Sequence, residues 1–563
     1  MIKNVFLIAA SVILLSACGT LPRIKYRAVM NEPAAHGYTP APHRAIFGTL
    51  PAYVERYEQG SPHARRSFVG VSLSGGGTRA ALFSAAVLEE LDRIGLLSEV
   101  YAISSVSGGS ITNAYYALNP PTKDPGYWPR FREVVSQDLL KPWLAKSLAP
   151  QNFVSVAFTT EDRSDLMADV MDKKIFNGAT FADLARSPAR GNSPLVLLNA
   201  TLASAVEPGL FLGSDLGPWY AGGFNAPFTS GERFTFTRDA VARLGSDIND
   251  LRVADAVMAS GAFPGVFGTR TLAAYRSASD KNAKRLDEPT STTPLSYVHL
   301  IDGGAADNLG ADALSIALLR WHQYTSRPSS EERREGMKDP GCMLILVDSS
   351  TGSESDNSKH ADPRSPLVDY VVDTNALLAI DAMMKRRRVD TLHRMGIDLS
   401  RRDRVGIRQR LNREANLSHV FDRNFRTNGA QVVPPTCFVW HISLDKVDEI
   451  FEAEPYERWE ITPEQSAAVT KFYKDPYRRR LGLAAVGIQT NYKLKSSHCD
   501  KSTDISFVLR ASARELVVGD SYARSAVCDW MEEQDMSGVT QCKNSPADRM
   551  EPLPSCVLSK ETR

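Results

Sequence analysis

Two short serine-containing turns could carry nucleophilic chemistry. The first, "SLSGGG", spans residues 72–77, and the second, "SVSGGS", spans residues 105–110. Each follows a short apolar run and precedes a helical pattern, so each serine is expected where a strand turns into a helix. A nucleophilic serine needs such a tight turn, usually G-x-S-x-G, because the turn exposes its hydroxyl group. Both copies begin with serine instead of glycine, so this pattern alone leaves open which serine is the nucleophile.

The glycines distinguish the two turns. The first turn has three in succession, Gly75, Gly76 and Gly77, which lets the backbone approach a ligand closely and direct its N–H groups inward. That composition suits an oxyanion hole, where backbone N–H groups bind a developing negative charge. In hydrolases with a serine elbow, one oxyanion donor comes from a loop after an earlier strand. We therefore interpret the first turn as the oxyanion loop and Ser107 of the second as the nucleophile.

A carboxylate far downstream is the candidate base. Asp302 ends the apolar run of "YVHLIDGGAADNLG" and enters a Gly-Gly turn. A parallel sheet presents functional residues where its strands end, although an Asp-Gly pair by itself is a common turn. Asp348, in "LILVDSS", has a similar setting and is the rival base.

These residues need a scaffold, and the sequence predicts an α/β one from Ser67 onward. "SFVGVSL" precedes the amphipathic "TRAALFSAAVLEELDRIGLL", and "VYAISSV" precedes "SITNAYYALN". Such alternation is typical of a parallel sheet with helices on both faces. The stretch "GGGTRA" also fits a dinucleotide-binding loop, G-x-G-x-x-A. The next strand lacks the terminal acidic residue that would hold a ribose, and Gly-Lys-Ser/Thr is absent from the sequence, which disfavours a nucleotide-binding protein.

Four segments spread over about half of the chain are distinctive: "GVSLSGGGTRAALFSAAVLEEL", "ISSVSGGS", "ADAVMASGAFPGVF" and "LIDGGAADNLG". Together, and in this order, they resemble the patatin-like phospholipases. Gly75 to Arg79 match the family's oxyanion stretch, Ser107 its nucleophile, Asp302 its aspartate motif and Asn308 the later asparagine of that motif. Three positions depart from the family pattern without removing a reacting group: Ser105 and Ala80 replace glycines, and Gly310 replaces a proline.

The resemblance implies a three-layer α/β/α fold with a mainly parallel central sheet, and a serine acyl hydrolase of phospholipase A or lysophospholipase type. It implies a Ser–Asp dyad without a catalytic histidine: Ser107 attacks an ester carbonyl, Asp302 takes its proton, and Gly75 to Gly77 hold the oxyanion. Arg79 either stabilises that loop, binds a lipid phosphate, or faces solvent in the first helical turn. No metal or other cofactor is expected, because the dyad supplies the base.

Two other functions stay open. A Ser-His-Asp esterase would need a histidine after the serine and the aspartate in chain order, and His299 is instead expected to pack or hydrogen-bond within its own strand. A lipoprotein scaffold that keeps the fold without catalysis is the second alternative. The available histidines, none in a clear strand-end motif, are His360, His393, His419 and His441.

The N-terminus predicts export and a lipid anchor. One lysine precedes an apolar run that is too short to span a bilayer comfortably, as in a secretory signal. The sequence "LSAC" resembles a bacterial lipobox, which implies cleavage before Cys18 and lipidation of that residue. Gly19 follows instead of an inner-membrane retention aspartate, which favours the outer membrane, facing the periplasm. Several acyl chains would give a stable anchor, and phospholipid or lysophospholipid is the expected substrate.

Composition bounds the remaining functions. The chain has 563 residues, 43% of them hydrophobic and 23% charged, with a formal net charge of +1. This balance is typical of a globular protein and provides no overall electrostatic basis for nucleic-acid binding. The segment from Lys385 to Arg413 is strongly basic, either as a solvated helical surface or as a face for anionic lipid headgroups.

Export would take the protein to an oxidising compartment, so disulfides are expected among the cysteines of the C-terminal tail. Four cysteines, residues 499, 528, 542 and 556, crowd this tail and allow three disulfide pairings. Cys342 and Cys437 lie in apolar runs and are predicted to be buried core thiols. No Cys-x-x-Cys or His-x-x-x-His spacing suggests a metal site.

These patterns divide the chain into five parts. The predicted parts are a signal peptide (1–17), a lipidated tether and lead-in (18–66), a patatin-like acyl hydrolase core (67–350), a mostly helical extension (351–495) and a Cys-rich tail (496–563).

Overall fold

A computed structural model places the predicted strands in one mixed sheet. The structure describes residues 29–33, 67–149, 152, 161–186, 194–204, 230–275, 296–325, 341–351, 374–397, 399, 411–417, 426–427, 430–431, 436–447, 475–486, 488–490, 502–550 and 552–558. The predicted signal peptide, Cys18, Cys499, His360 and His419 lie outside these residues.

The main sheet has nine strands within the described residues. Their order is β5-β6-β3-β2-β1-β7-β11-β8, and β4 pairs with β3. Strands β9 and β10 form a separate pair. The strands are β1 (Phe68–Leu73), β2 (Ala102–Val106), β3 (Leu195–Leu202), β4 (Arg233–Thr235), β5 (Arg270–Ala274), β6 (Ser296–Asp302), β7 (Cys342–Asp348), β8 (Leu411–Asn416), β9 (Arg426–Thr427), β10 (Ala430–Gln431) and β11 (Thr436–Ser443).

Helices follow several of these strands and form the outer layers. They are α1 (Gly77–Arg93), α2 (Gly108–Leu118), α3 (Tyr127–Val135), α4 (Leu140–Leu148), α5 (Arg163–Met171), α6 (Phe181–Arg186), α7 (Arg238–Arg243), α8 (Val253–Ser260), α9 (Gly304–Asp307), α10 (Ala311–Thr325), α11 (Thr374–Arg394), α12 (Pro476–Val486), α13 (Ser502–Arg514), α14 (Ser521–Glu533), α15 (Val539–Asn544) and α16 (Ser555–Leu558).

The central strands are buried on both faces of the sheet, and most of their residues are therefore apolar. Alternate residues point to opposite faces, and each face has its own core. Val71 of β1 and Ile345 of β7 belong to the core on the side of α1. Phe68 and Leu344 belong to the core on the side of α10. This three-layer arrangement confirms the fold class predicted from the sequence.

The sheet is mostly, but not wholly, parallel. Neighbouring strands from β3 through β2, β1 and β7 to β11 pair in parallel. The strand that ends at Asp302, β6, runs antiparallel to β3. The argument that Asp302 ends a parallel strand is therefore wrong, and another feature must bring this residue to the site.

Residues beyond 350 complete the sheet. Strand β11 pairs in parallel with β7 from Phe438 opposite Met343 to Ser443 opposite Asp348, and β8 pairs antiparallel with β11. The apolar "CFVWHI" run can serve as a central strand because both of its faces are buried. The segment predicted as a mostly helical extension thus contributes two strands to the main sheet.

The prediction of free thiols at Cys342 and Cys437 is wrong, although both residues are buried. They form a disulfide between the neighbouring strands β7 and β11, with their Cα atoms 4.9 Å apart. The two cysteines are 95 residues apart in sequence, so only the strand pairing reveals that they meet. In the tail, Cys528 pairs with Cys542, and Cys556 is also disulfide-bonded.

Within the part of the chain that the structure describes, no helix combines the length and apolar character needed to cross a bilayer.

Candidate active site

Ser107 occupies a strained turn between β2 and α2. Its φ of 51° and ψ of −120° lie in a region that side-chain-bearing residues rarely adopt. The Ser107 N–H donates to Ser260 Oγ at 2.8 Å, and Ser260 Oγ donates to the Asn199 carbonyl oxygen at 2.6 Å. These bonds hold a conformation of the kind that exposes a nucleophilic serine.

The two glycines after Ser107 allow α2 to start directly against the first turn. A Cβ atom on Gly108 would overlap the carbonyl group of Gly77. A Cβ atom on Gly109 would lie 2.6 Å from the Leu73 carbonyl oxygen. Since backbone atoms cannot move aside as a flexible side chain can, only glycine fits at these positions. The "SGGS" sequence therefore reflects close packing of the two turns against each other.

The glycine loop differs from the sequence interpretation in one respect. The Gly75 N–H donates to the Asn308 carbonyl oxygen at 2.9 Å, so it is not available to an oxyanion. Gly76 (φ 133°) and Gly77 (φ 59°) have left-handed backbone conformations, and their N–H groups have no acceptor among the described residues. The candidate oxyanion donors of this loop are thus reduced from three glycines to two.

Ser74, which directly precedes the three glycines of the first turn, has a structural role. It is buried, and its hydroxyl oxygen accepts the Ser349 N–H at 2.9 Å. Ser349 Oγ in turn donates to the Gly75 carbonyl oxygen at 2.8 Å. Ser349, which directly follows β7, thereby fixes the glycine loop.

Asp302 reaches Ser107 through the register of the sheet. Asp302 pairs with Ala200 of β3, and the preceding residue, Asn199, pairs with Val106 of β2. Strand β3 continues beyond the last residue of β2, and β6 pairs antiparallel with this extension. Strand β6 therefore runs back along β3 towards β2 and ends at the level of Ser107. The Asp302 carboxylate accepts a hydrogen bond from the Gly304 N–H at 2.7 Å, and it lies close enough to the Ser107 side chain for that side chain to lower its pKa.

The environment makes Asp302 a better base than an ordinary carboxylate. Burial raises the pKa of Asp302 to about 6, against the lowering effect of its hydrogen bonds from Gly304 and Ser107. A carboxylate with a pKa of about 6 is ionised at neutral pH and accepts a proton more readily than an exposed aspartate.

Asp348, the rival base, is engaged elsewhere. Its carboxylate bonds Arg388 Nε at 2.6 Å and His441 Nε2 at 3.0 Å. Burial alone would raise the pKa of Asp348, but the Arg388 guanidinium and His441 hold it well below its usual range. Such a carboxylate is a poor proton acceptor.

Three of the described histidines, His299, His393 and His441, have no hydrogen bond to Ser107 within the described part of the chain. Burial, together with Lys446, lowers the pKa of His441 to about 4, and its Nε2 is bonded to Asp348. His393 is exposed near the end of α11. His299 bonds Thr271 Oγ1 at 3.0 Å within the sheet, which confirms its expected local role.

Arg79 supports the loop through the C-terminal part of the chain. Its Nη1 donates to the Ile488 carbonyl oxygen at 2.6 Å, and its backbone N–H donates to the Thr490 carbonyl oxygen at 3.0 Å. Burial lowers the pKa of Arg79 to about 10, against the opposing effects of Asp348 and Asp381. Arg79 therefore stays charged at neutral pH, and its side chain is half-buried against the Ile488 carbonyl group.

Across the described residues, no group of three or more His, Cys, Asp or Glu side chains is arranged to hold a metal ion.

The fold and this arrangement together define an acyl hydrolase of the α/β/α class. The family model for patatin-like phospholipase matches residues 71–315, which include both serine turns and Asp302. This part of the chain is a patatin-like phospholipase domain, and the chain is a lipid acyl hydrolase. The family and the enzyme class predicted from the sequence are confirmed.

The chain is similar, at low sequence identity, to several solved structures. Human GIVD cytosolic phospholipase A2 is 12% identical with a TM-score of 0.39, over 93% of this chain and 67% of that one. The same human enzyme in complex with methyl gamma-linolenyl fluorophosphonate is 13% identical with a TM-score of 0.39, over 90% and 65%. VipD from Legionella pneumophila is 13% identical with a TM-score of 0.21, over 85% and 79%. The chain spans about two thirds of the length of the human enzyme. A search of curated proteins finds no match.

Proposed function

We propose that the protein is a membrane-anchored serine acyl hydrolase that cleaves carboxylic esters of phospholipids or lysophospholipids through a Ser107–Asp302 dyad and an acyl-enzyme. The observation that carries the proposal is the placement of the buried Asp302 carboxylate beside the strained Ser107 by the register of β2, β3 and β6. The free N–H groups of Gly76 and Gly77 beside this pair support the same chemistry.

In the proposed acylation step, Ser107 Oγ attacks the ester carbonyl carbon while Asp302 takes the hydroxyl proton. The N–H groups of Gly76 and Gly77 bind the negative oxygen of the tetrahedral intermediate. When that intermediate collapses, the bond to the alcohol oxygen breaks. The leaving alcohol takes the proton from Asp302, and the acyl group stays on Ser107.

In the proposed deacylation step, Asp302 acts as a base a second time. It takes a proton from water, and the oxygen of that water attacks the acyl-enzyme carbonyl. Ser107 Oγ leaves with the proton from Asp302, and a fatty acid is released. The raised pKa of Asp302, about 6, suits a group that must accept and return a proton in each half-reaction. Arg79 contributes by holding the loop, since its guanidinium already binds the Ile488 carbonyl.

The lipid substrate should be tested with defined compounds. Purified protein incubated with diacyl phospholipids and with lysophospholipids is expected to release free fatty acid from at least one class, measured by mass spectrometry. The lyso-product of the diacyl substrate would distinguish phospholipase A activity from lysophospholipase activity. Absence of fatty acid from both classes, with a correctly folded protein, would favour the silent scaffold.

The anchor is part of the proposal and rests on the "LSAC" sequence alone. Cleavage before Cys18, with acylation of that residue, would place the enzyme at the bacterial outer membrane, facing the periplasm. Intact-mass measurement of the protein from its native membrane is expected to give a chain that starts at Cys18 and carries acyl groups. An unmodified chain that starts at any other residue would contradict the anchor without affecting the proposed chemistry.

A further inference from the structure

Asn308 lies between the glycine loop and the turn that follows Asp302. Its carbonyl oxygen accepts the Gly75 N–H at 2.9 Å. Its side chain fills the space that a Cβ atom on Gly75 would occupy, and that position is 3.4 Å from Ser107 Cβ. A Cβ atom on Gly304 would lie 2.7 Å from Asn308 Oδ1 and 3.0 Å from Asp302 Oδ1. The Asn308 amide therefore borders both the nucleophile and the base.

The oxygen of this amide is buried and unpaired. Asn308 Oδ1 has no hydrogen-bond partner within the described part of the chain, and a buried polar atom without a partner is costly. An amide oxygen here also faces a site that holds an ionised carboxylate and develops a second negative charge, which disfavours an acceptor. Because the oxygen and the NH₂ group of an amide have nearly the same shape, rotation about χ2 puts a donor there without changing the packing.

We infer that the Asn308 side chain is a third donor of the oxyanion hole, with its Nδ2–H directed at the oxygen that becomes negative on the scissile carbonyl. This inference rests on the proposed function. It accounts for the loss of the Gly75 N–H from the oxyanion hole: the Asn308 carbonyl takes that N–H, and the Asn308 amide replaces it. The backbone bond to Gly75 holds the loop whatever the side chain is, so the two roles of Asn308 can be separated by mutation.

The test is Asn308→Leu, which keeps a side chain of similar size without a donor, with Asn308→Ala as a second variant if the first folds poorly. Removal of one oxyanion donor is expected to lower kcat about 10²- to 10³-fold with little change in KM for a p-nitrophenyl acyl ester. Affinity for a trifluoromethyl ketone, which forms a tetrahedral adduct with serine, should fall in parallel. The pH midpoint of kcat/KM should stay at the wild-type value, because Asp302 is untouched. The exposed Asn119→Ala is the matched control and should behave as wild type.

Several results would overturn the inference. One is an unchanged kcat in a folded Asn308→Leu or Asn308→Ala variant. Another is a lower rate with a displaced pH midpoint and unchanged ketone affinity, which would mean that the amide positions Asp302 instead. If both variants lose their folded structure, judged by thermal unfolding, the side chain is a packing element and the inference fails. A wild-type protein that neither hydrolyses the ester nor binds the ketone would instead refute the proposed function.

Discussion

Ser107→Ala is expected to remove ester hydrolysis almost completely, by about 10⁴-fold or more, because no acyl-enzyme can form. The same variant should lose covalent labelling by a fluorophosphonate probe. The overall fold should survive, since alanine retains the Cβ atom and the Ser107 N–H can still donate to Ser260 Oγ. The measurements are steady-state hydrolysis of a soluble ester and intact-mass mapping of the labelled protein.

Ser74→Ala is the matched control, because Ser74 occupies the equivalent place in the other turn. It removes the contact with Ser349 that fixes the glycine loop, so some loss of stability or rate is expected. The Ser107 hydroxyl, however, should still be labelled. A probe attached to Ser74, or equal labelling before and after Ser107→Ala, would disprove the assignment of the nucleophile.

Asp302→Asn is the second change with a large expected effect. It removes the carboxylate that lies beside Ser107, and general-base catalysis contributes about 10²- to 10⁴-fold. In the wild-type enzyme, kcat/KM should rise with pH to a plateau, with its midpoint near the Asp302 pKa of about 6. Asp302 is protonated and inactive as a base below this pH. The rate–pH profile of a soluble ester gives the midpoint.

Asp302→Asn should also change how the stability of the folded protein depends on pH. The pKa of Asp302 is raised in the folded protein from 3.8 to about 6, so the folded state binds this proton more tightly than the unfolded state does. The stability that this provides is present at low pH and is lost as the pH rises through about 6. Asp302→Asn cannot titrate, so its thermal stability relative to wild type should be higher at pH 8 than at pH 5.

Asp348→Asn is the control for the choice of base. Asp348 is equally buried but is paired with Arg388 and His441. Its replacement leaves the buried Arg388 with Asp445 as its remaining carboxylate partner and should lower stability, while a measurable Ser107-dependent rate remains. Full activity of Asp302→Asn together with an inactive but folded Asp348→Asn would reverse the assignment of the two carboxylates.

Local sequence patterns were sufficient to predict the two turns and their close backbone contacts. Consecutive glycines predict backbone conformations and close contacts that other residues cannot make, and Gly76, Gly77 and Gly108 are used in these ways. Apolar periodicity predicted the strands and helices on either side of each turn. These are short-range properties, because steric limits on φ and ψ and the repeat of side-chain directions act within a few residues.

Tertiary structure decided what meets at the site. Asp302 lies beside Ser107 because an antiparallel strand pairs with the long end of β3, and Asp348 is excluded by Arg388 and His441, which lie farther along the chain. The bond from Gly75 to Asn308 and the Cys342–Cys437 disulfide likewise join distant segments. The sequence by itself thus determined the family, the fold class and the turns able to hold a serine and an oxyanion. Which carboxylate lies beside the serine, and which N–H groups of the glycine loop stay free, depended on strand register and long-range pairing, which local sequence patterns do not encode.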